Sequence, residues 1–283
     1  MSMNSVNTNM GAMIALQSLE STQQQLSATQ KQISTGYRVA DSTDDGAAYA
    51  IAQGVRSTVG ALSSANQQLG GVQGLLSTTQ SSLNNVSNTM QSMRDVLVQL
   101  SSTSVEGNER TQYEGQYNSY AAQLKTFIED ANYNGKTLIG DITGSNGSFA
   151  RVAVARNESG SSYGIATFSG SGLYTSIAFT STQLGGAATV QAFLTATGVF
   201  LNQQNSVGTA LNTVGSEINY VNNQVSFNSN KIDALNGGLG ALVDADLAKE
   251  SAMLTSLQIR QQLGTQALSL ANSAPQTLLS LFK

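Results

Sequence analysis

A seven-residue repeat of apolar side chains is the strongest pattern in this chain. Two series, offset by three residues, run through 62–100 with the spacing of heptad core positions. The first is Leu62, Leu69, Leu76, Leu83, Met90 and Leu97, and the second is Ala65, Val72, Thr79, Val86, Met93 and Leu100. They predict a helix roughly 60 Å long. Because Gly70, Gly71 and Gly74 each weaken helix preference by about 1 kcal/mol, this helix needs partners.

Two further stretches carry alternating steps of three and four residues, as amphipathic helices do. The first is Tyr113, Tyr117, Tyr120, Leu124, Phe127 and Ala131. The second is Val207, Leu211, Val214, Ile218, Val221, Val225, Ile232 and Leu235, with Asn228 in one core position and a possible extension back through Phe200 and Phe193. Three long amphipathic helices predict an antiparallel bundle, for which an ordinary intramolecular core is the favoured interpretation.

The two ends of the chain carry separate apolar stripes. Met13, Leu16, Leu19, Leu26 and Ile33 lie near one end, and Val243, Leu247, Leu254, Leu257, Leu268, Ala271, Leu278 and Phe282 share one heptad frame near the other. Gln261 and Gly264 interrupt the second series. Neither segment can bury its apolar face alone, so we expect pairing with each other and with neighbouring copies. Since ordering costs about 1–2 kcal/mol per residue, a free monomer should leave both ends largely disordered.

Breaks in these patterns predict the domain organisation. Gly36 is typical of a helix C-cap, and Ser42-Thr43-Asp44-Asp45 resembles a capping box, so 36–44 is predicted to be a non-helical linker. Asn236-Gly237-Gly238 is predicted to break the chain at the matching point. The Gly- and Ser-rich stretch 139–189 has turn signals at 144–147 and 157–160 and predicts a small β-rich insert. The expected segments are 1–40 and 239–283 (terminal), 41–138 and 190–238 (bundle), and 139–189 (insert). The expected fold is mainly α, a long antiparallel helical bundle or coiled coil formed by the N- and C-terminal segments.

Composition narrows the function. The 283 residues include 13 Lys and Arg against 17 Asp and Glu, with no His and no Cys. No basic cluster is present, which disfavours nucleic-acid and anionic-membrane binding. Without His or Cys, thiol nucleophiles, Ser-His-Asp triads and the commonest zinc sites are excluded. We therefore expect no enzyme, cofactor or metal, although carboxylate or lysine catalysis stays open. The carboxylates Glu106, Glu109, Glu114 and Glu129 are interpreted as solvated helix faces.

Export is not evident from ordinary signals. Residues 1–30 lack the basic start and apolar core of a cleaved signal peptide, and no apolar run approaches transmembrane length. These features alone would suggest a cytoplasmic protein, unless the chain leaves through a dedicated export channel.

Four motifs, in order at both ends, resemble the bacterial flagellin family. They are 32–48 (QISTGYRVADSTDDGAA, with NTN at 7–9), 133–138 (YNGKTL), 261–268 (QQLGTQAL), and 271–276 (ANSAPQ) followed by 278–282 (LLSLF). The stretch 245–251 (ADLAKES) and the short insert are most similar to alphaproteobacterial members. The resemblance covers nearly the whole chain outside 139–189.

The resemblance implies a non-enzymatic subunit of the extracellular flagellar filament, exported through the flagellar apparatus without a cleaved signal. It implies a homopolymer and contacts with cap, hook–filament junction and export-chaperone proteins. The interface residues expected in the inner core of the filament are Leu19, Leu26, Ile33, Leu247, Leu254, Leu257, Leu268, Leu278 and Phe282. The alternatives are a hook–filament junction protein, and a coiled-coil binding module that would remain a discrete oligomer.

Two charged or polar groups are further candidates. Arg38, Asp41, Asp44, Asp45 and Arg56 lie around the linker, either as inter-subunit ion pairs or as solvated capping charges. The stretch Gln91, Ser92, Arg94 and Asp95 aligns with the region that the animal innate flagellin receptor recognises in enteric relatives. Because Ser92 stands where the family pattern has Arg, we expect weak or absent recognition.

Overall fold

In the computed structural model, residues 8–145 and 147–280 are described, with side chains as far as 273. The helices are α1 (Met10–Thr35), α2 (Gly46–Leu100), α3 (Gly107–Glu129), α4 (Gly170–Ile177), α5 (Ser181–Leu184), α6 (Ala187–Phe193), α7 (Val199–Val243) and α8 (Leu247–Ser280). The strands are β1 (Lys136–Thr137), β2 (Ser148–Phe149), β3 (Ala153–Ala155) and β4 (Ser162–Gly164). Residues up to Ser57 and from Asp233 onward form one compact unit, the terminal unit, and Thr58–Ile232 form a second, the bundle unit.

The core of the bundle unit lies along α2, and every predicted heptad position of this helix is buried. Helix α3 runs antiparallel to α2, since Ser82 of α2 donates to the Phe127 carbonyl while Arg110 at the start of α3 donates to Leu100 at the end of α2. Helix α7 is also antiparallel, because Asn66 and Gln73 of α2 bond to Asn228 and Asn222 of α7. The predicted mainly α fold with an antiparallel bundle is confirmed.

One glycine of α2, Gly74, makes room for an aromatic side chain. A Cβ atom at Gly74 would lie 2.6 Å from the Tyr133 ring. Tyr133 begins a tight turn in which Asn134 and Gly135 both have positive φ angles, of 50° and 74°. These angles are typical of the type I′ turn that Asn-Gly favours. The backbones of Tyr133 and Lys136 close the turn with bonds of 2.8 and 3.0 Å.

The insert, together with the residues just before it, contains both strands and short helices. Strands β1 and β2 pair in parallel, and β3 and β4 form an antiparallel hairpin in which Val154 faces Tyr163. The predicted turn at 157–160 closes this hairpin, with Gly160 at φ 71°; the other predicted turn, at 144–147, includes residue 146, which lies outside the described residues. From Gly170 onward the chain is helical instead. Ser169 caps α4, and Thr180 forms a capping box with Gln183 at α5.

The predicted chain break at Asn236-Gly237-Gly238 is wrong, because α7 continues to Val243. Two glycines weaken a helix by about 1 kcal/mol each, but the residues that follow them are anchored. Leu239, Leu242 and Val243 belong to an apolar cluster with Val39, Ala48 and Ala52. The connector lies instead between Val243 and Leu247. The linker near the N-terminus matches its prediction, with Gly36 capping α1 at φ 76°.

The start of α2 is capped by Asp45. Its Oδ1 atom accepts hydrogen bonds of 3.0 Å from the backbone N–H groups of Ala47 and Ala48. Asp45 is therefore the N-cap residue of α2. The Asp44 carboxylate instead accepts a hydrogen bond from the backbone N–H of Ala40 in the linker.

Candidate interaction surface

Helices α1 and α8 pack against each other as an antiparallel pair in the terminal unit. Asn9 caps α1 through the N–H of Ala12 and donates from Nδ2 to the carbonyl of Ala271, at 2.7 Å. Farther along the pair, Gln261 Nε2 donates to Gln23 Oε1, also at 2.7 Å. Between these contacts, the Cδ1 atom of Leu19 lies 3.2 Å from where a Cβ atom on Gly264 would be. Gln261 and Gly264 interrupt the apolar series of α8, yet both are contact points with α1.

The buried interior of this pair is small. Of the nine predicted inner-core residues, only Leu26 (6% exposed) and Leu257 (1% exposed) are buried within the single chain. Leu19, Ile33, Leu254 and Leu268 are half-buried, and Leu247 is exposed. The side chains of Leu278 and Phe282 lie outside the described residues. The chain therefore leaves much of the predicted interface uncovered.

A larger set of apolar side chains on α1 and α8 faces solvent, and we call it the outer stripe. Its members range from 46% exposed at Met253 to 74% at Leu270. They are Met10, Met13, Ile14, Leu16, Leu247, Met253, Ile259, Leu263 and Leu270. Exposed apolar side chains in this number mark interaction sites. Our interface prediction included only Leu247 from this stripe, since it followed one heptad frame. The exposed residues could have been predicted from two helical spacings in the sequence. These are the four-residue spacing from Met10 to Ile14 and the spacings of four and seven residues from Ile259 to Leu263 and Leu270.

The two helices carry few charges. In α1 they are Glu20 and Lys31, and in α8 they are Lys249, Glu250 and Arg260. The remaining polar residues are mostly Ser, Thr, Asn and Gln, which hydrogen-bond without a net charge. Copies of this pair can therefore approach each other with little electrostatic repulsion.

Backbone hydrogen bonds join the segment that follows α1 to the segment that precedes α8. Arg38 and Val39 donate their N–H groups to the carbonyl of Val243, at 2.7 and 3.2 Å, and Ala245 donates to the carbonyl of Gly36 at 3.0 Å. The Arg38 guanidinium also donates to the carbonyl of Leu242. These bonds fix where α1 ends against where α8 begins.

The predicted linker charges have partners within the chain. Lys31 Nζ lies 2.7 Å from Asp41 Oδ2 and 2.8 Å from Asp44 Oδ1. Hydrogen bonds from Lys31 hold the pKa values of the Asp41 and Asp44 carboxyls below their usual range, and the same bonds raise the pKa of Lys31. Arg56 lies over the Tyr37 ring, 5.8 Å from its centroid. Our sequence reasoning missed Lys31, although it is the first basic residue of the chain.

The receptor-like stretch lies on α2 in the bundle unit. Gln91, Arg94 and Asp95 are exposed and Ser92 is half-buried, while Met90 and Met93 point into the core. Over the described residues, no cluster of three or more carboxylates is arranged to hold a metal ion. None of the described helices combines the length and apolar character that crossing a membrane requires.

Comparison with known proteins follows the same division of the chain. Residues 6–143 match the bacterial flagellin N-terminal helical region, and residues 194–282 match the C-terminal helical region. Flagellin FljK of Caulobacter vibrioides is 32% identical over the full length of both chains. A flagellin of Brucella melitensis is 34% identical over 99% of this chain and 100% of its own.

The fold is shared with a solved structure. It is a Vibrio parahaemolyticus chain provisionally described as a flagellar hook-associated protein, with a TM-score of 0.59 and 16% identity. The match covers 71% of this chain and 100% of that chain. At this identity the match shows a shared fold alone.

Proposed function

This chain belongs to the bacterial flagellin family, and we propose that it polymerises into the flagellar filament by burying the outer stripe between neighbouring copies. The observation that supports this function is the exposure of nine large apolar side chains on a helix pair with a very small interior. Burying one such side chain contributes roughly 1.5–3 kcal/mol. Part of this gain is offset by the lost freedom of the joining subunit.

The half-buried residues of the predicted inner core fit the same role. Leu19, Ile33, Leu254 and Leu268 each have part of their surface against the partner helix and part in solvent. A second copy packed on the pair would complete their burial. For an open filament, the contact must be heterologous, so that one surface of a subunit meets a different surface of the next.

The role is structural rather than catalytic, and its site is extracellular. We propose export through the flagellar apparatus without cleavage of a signal peptide, aided by an export chaperone, with contacts to the cap at the growing tip and to junction proteins at the base. The mass of the subunit recovered from filaments should then match a chain that begins at or next to the first residue of this sequence. A mass that lacks a longer N-terminal segment would contradict the export route.

A hook–filament junction protein is not favoured. The likeness to a hook-associated chain is one of fold at 16% identity, whereas full-length relatives above 30% identity are flagellins. Immunogold labelling along the whole filament supports the flagellin role, and labelling confined to its base supports the junction role.

Two finer proposals concern the charged and receptor-like residues. In the filament, the linker charges would exchange some of their intrachain partners for partners on a neighbouring copy; these charges are Arg38, Asp41, Asp44, Asp45 and Arg56. High salt should then weaken polymerisation. Polymerisation that does not change with salt would contradict this proposal. The stretch around Ser92 would be recognised weakly by the animal flagellin receptor. A reporter-cell response equal to that of an enteric flagellin would contradict that proposal.

Polymerisation of point variants tests the main proposal. Ile259 and Leu263 are 53% and 58% exposed on one side of α8, so Ile259→Ser with Leu263→Ser should leave the monomer's helix content unchanged by circular dichroism. Elongation from filament seeds should fall more than tenfold, since roughly 3 kcal/mol or more of interface burial is lost. Gln262→Ser, an exposed position between them, is the matched control and should elongate normally. Normal elongation of the double variant would overturn the proposal.

Truncation gives a second test of the same function. Removal of 1–30 or of 255–283 should leave a soluble monomer with a folded bundle unit, because the core along α2 lies entirely within 58–232. Neither truncated chain should form filaments. Filaments of either one in electron micrographs would refute the assignment of the interface to α1 and α8.

A further inference from the structure

The five methionines among the described residues fall into two groups with opposite surroundings; Met1 and Met3 lie outside the described residues. Met10, Met13 and Met253 belong to the outer stripe and are 56%, 62% and 46% exposed, whereas Met90 and Met93 in the bundle core are 0% exposed. The chain has no Cys, His or Trp. Thioethers are therefore the side chains most readily oxidised by a two-electron oxidant such as a peroxide.

We propose that Met10, Met13 and Met253 are sites of oxidative modification, and that converting them to sulfoxides stops the subunit from entering the filament. The thioether sulfur attacks one oxygen of hydrogen peroxide, a sulfur–oxygen bond forms and the oxygen–oxygen bond breaks. The departing hydroxide takes up the remaining proton and leaves as water. Sulfur loses two electrons and peroxide gains them, so the reaction is balanced with peroxide as the only co-reactant.

The surroundings of the three sulfurs explain why the modification would matter. Met10 lies one turn from Met13 and from Ile14, and all three side chains are exposed. A neighbouring copy that covers this stripe brings apolar surface against the sulfur. A sulfoxide oxygen buried there would lack a hydrogen-bond donor, and an unpaired buried polar group destabilises the contact. Two such groups one turn apart on α1, at Met10 and Met13, would cancel much of the stability of that contact.

The exposure of these methionines makes their oxidation selective for the unassembled subunit. This step rests on the proposed function, since a finished filament would cover the outer stripe and shield it from peroxide. Met90 and Met93 are shielded in both states because they lie inside the bundle unit. Oxidation would therefore arrest growth without attacking filament that has already formed.

Seeded elongation of the full chain tests the inference. Purified monomer is treated with hydrogen peroxide, freed of it, mapped by peptide mass spectrometry and added to filament seeds. Sulfoxide is expected at Met10, Met13 and Met253 before Met90 or Met93, with elongation reduced more than tenfold and restored by methionine sulfoxide reductases. The variant Met10→Leu, Met13→Leu, Met253→Leu keeps volume and apolar character, so peroxide should change its elongation less than twofold.

The inference is overturned if oxidised wild-type monomer elongates like untreated monomer, or if peroxide inhibits the leucine variant as strongly as the wild type. It is also overturned if Met90 and Met93 oxidise as fast as the outer methionines while the bundle stays folded. Failure of untreated monomer to elongate would instead contradict the proposed function. The two failures are therefore distinguishable in one experiment.

Discussion

At the scale of single residues, the least expected features are buried polar side chains in the bundle unit. Arg110 is only 9% exposed. Its Nε and Nη2 atoms donate to the Leu184 carbonyl at 3.0 and 2.6 Å, Nη1 donates to Val105 at 3.0 Å, and Nη2 also donates to Leu100 at 2.8 Å. Leu100 and Leu184 are the last residues of α2 and α5, whose carbonyl groups have no partner within their own helices. One guanidinium thus caps two helices.

Replacing Arg110 should destabilise the bundle unit. Arg110→Met keeps the apolar stem but leaves three backbone carbonyls without their donors, which should cost roughly 2–4 kcal/mol. Urea unfolding of the monomer, followed by circular dichroism, measures the change. Arg94→Met, at an exposed position of α2, is the matched control and should change stability by less than about 0.5 kcal/mol. Equal effects of the two substitutions would show that the capping contacts contribute nothing.

Glu217 is a buried carboxyl at the junction of α7 with the insert. Its Oε1 atom accepts from the Ala166 N–H at 2.8 Å, and its Oε2 atom has no hydrogen-bond partner among the described residues. Burial raises the pKa of Glu217, while the Ala166 bond and the charge of Arg151 act in the opposite direction. Burial raises the pKa of Tyr163, and the charge of Glu217 raises it further; the Tyr163 ring stacks on that of Tyr220 at 4.1 Å. Folding therefore disfavours the ionised form of Glu217.

The stability of the bundle unit should reflect this pKa. Between its ordinary pKa and the raised value in the folded chain, Glu217 is more protonated when folded than when unfolded. The contribution of Glu217 to the free energy of unfolding is therefore most favourable at low pH and declines as the pH rises through that window. Between about pH 7 and pH 4, wild type should gain unfolding free energy relative to Glu217→Gln. The lowered pKa values of Asp41, Asp44 and Glu158 are common to both proteins and cancel. A pH-independent difference would contradict this assignment.

At the scale of elements, periodicity predicted burial well and chain breaks poorly. The heptad positions of α2 are all buried, because a regular apolar repeat has only one side that can leave water. Whether a helix ends at a glycine depends on the side chains that pack against that segment, and the repeat gives no information about them. The glycines before Leu239 were predicted to end α7, but the cluster around Val39 and Ala52 holds that segment helical. The helices from Gly170 onward were missed because dense Gly and Ser hid their capping residues.

Asn228 illustrates a polar side chain that specifies register. Its Nδ2 atom donates to Asn66 Oδ1 at 2.9 Å and to the Arg156 carbonyl at 3.0 Å, and its Oδ1 atom accepts from Gln224 at 3.0 Å. One buried amide therefore ties α7 to α2 and to the turn of the insert. The sequence placed Asn228 in a core position of the heptad but did not reveal these partners, because they come from distant segments. A buried Asn in such a position fixes the pairing of helices at a cost in stability.

The central segment of α2 should dominate the stability of the bundle unit. Leu83→Ala removes a side chain with 0% exposure and should lower the unfolding free energy by about 2–5 kcal/mol. Val98→Ala removes an apolar side chain from the same helix where it is 51% exposed. Its effect should be within about 0.5 kcal/mol. Comparable losses in urea unfolding would mean that α2 lacks the one-sided core described above.

At the scale of the whole molecule, the two units differ in what keeps them folded. The bundle unit encloses an apolar core with aromatic stacks such as Phe179 on Phe193, at 4.0 Å. The paired helices of the terminal unit bury Leu26 and Leu257 and leave the outer stripe in water. The sequence predicted that the ends would pair and need neighbours. It could not locate the outer stripe, because one heptad frame describes a single contact face and most residues of the outer stripe lie off that frame.

Amide hydrogen exchange tests the central claim, that α1 and α8 depend on neighbouring copies for their stability. Exchange is followed by mass spectrometry in dilute monomer and in filaments of the same protein. In the monomer, the amides of α1 and α8 should exchange at least about a hundredfold faster than those of 62–100 in α2, and in filaments they should become comparably slow. Terminal helices that are already as protected as α2 in the dilute monomer would contradict the account.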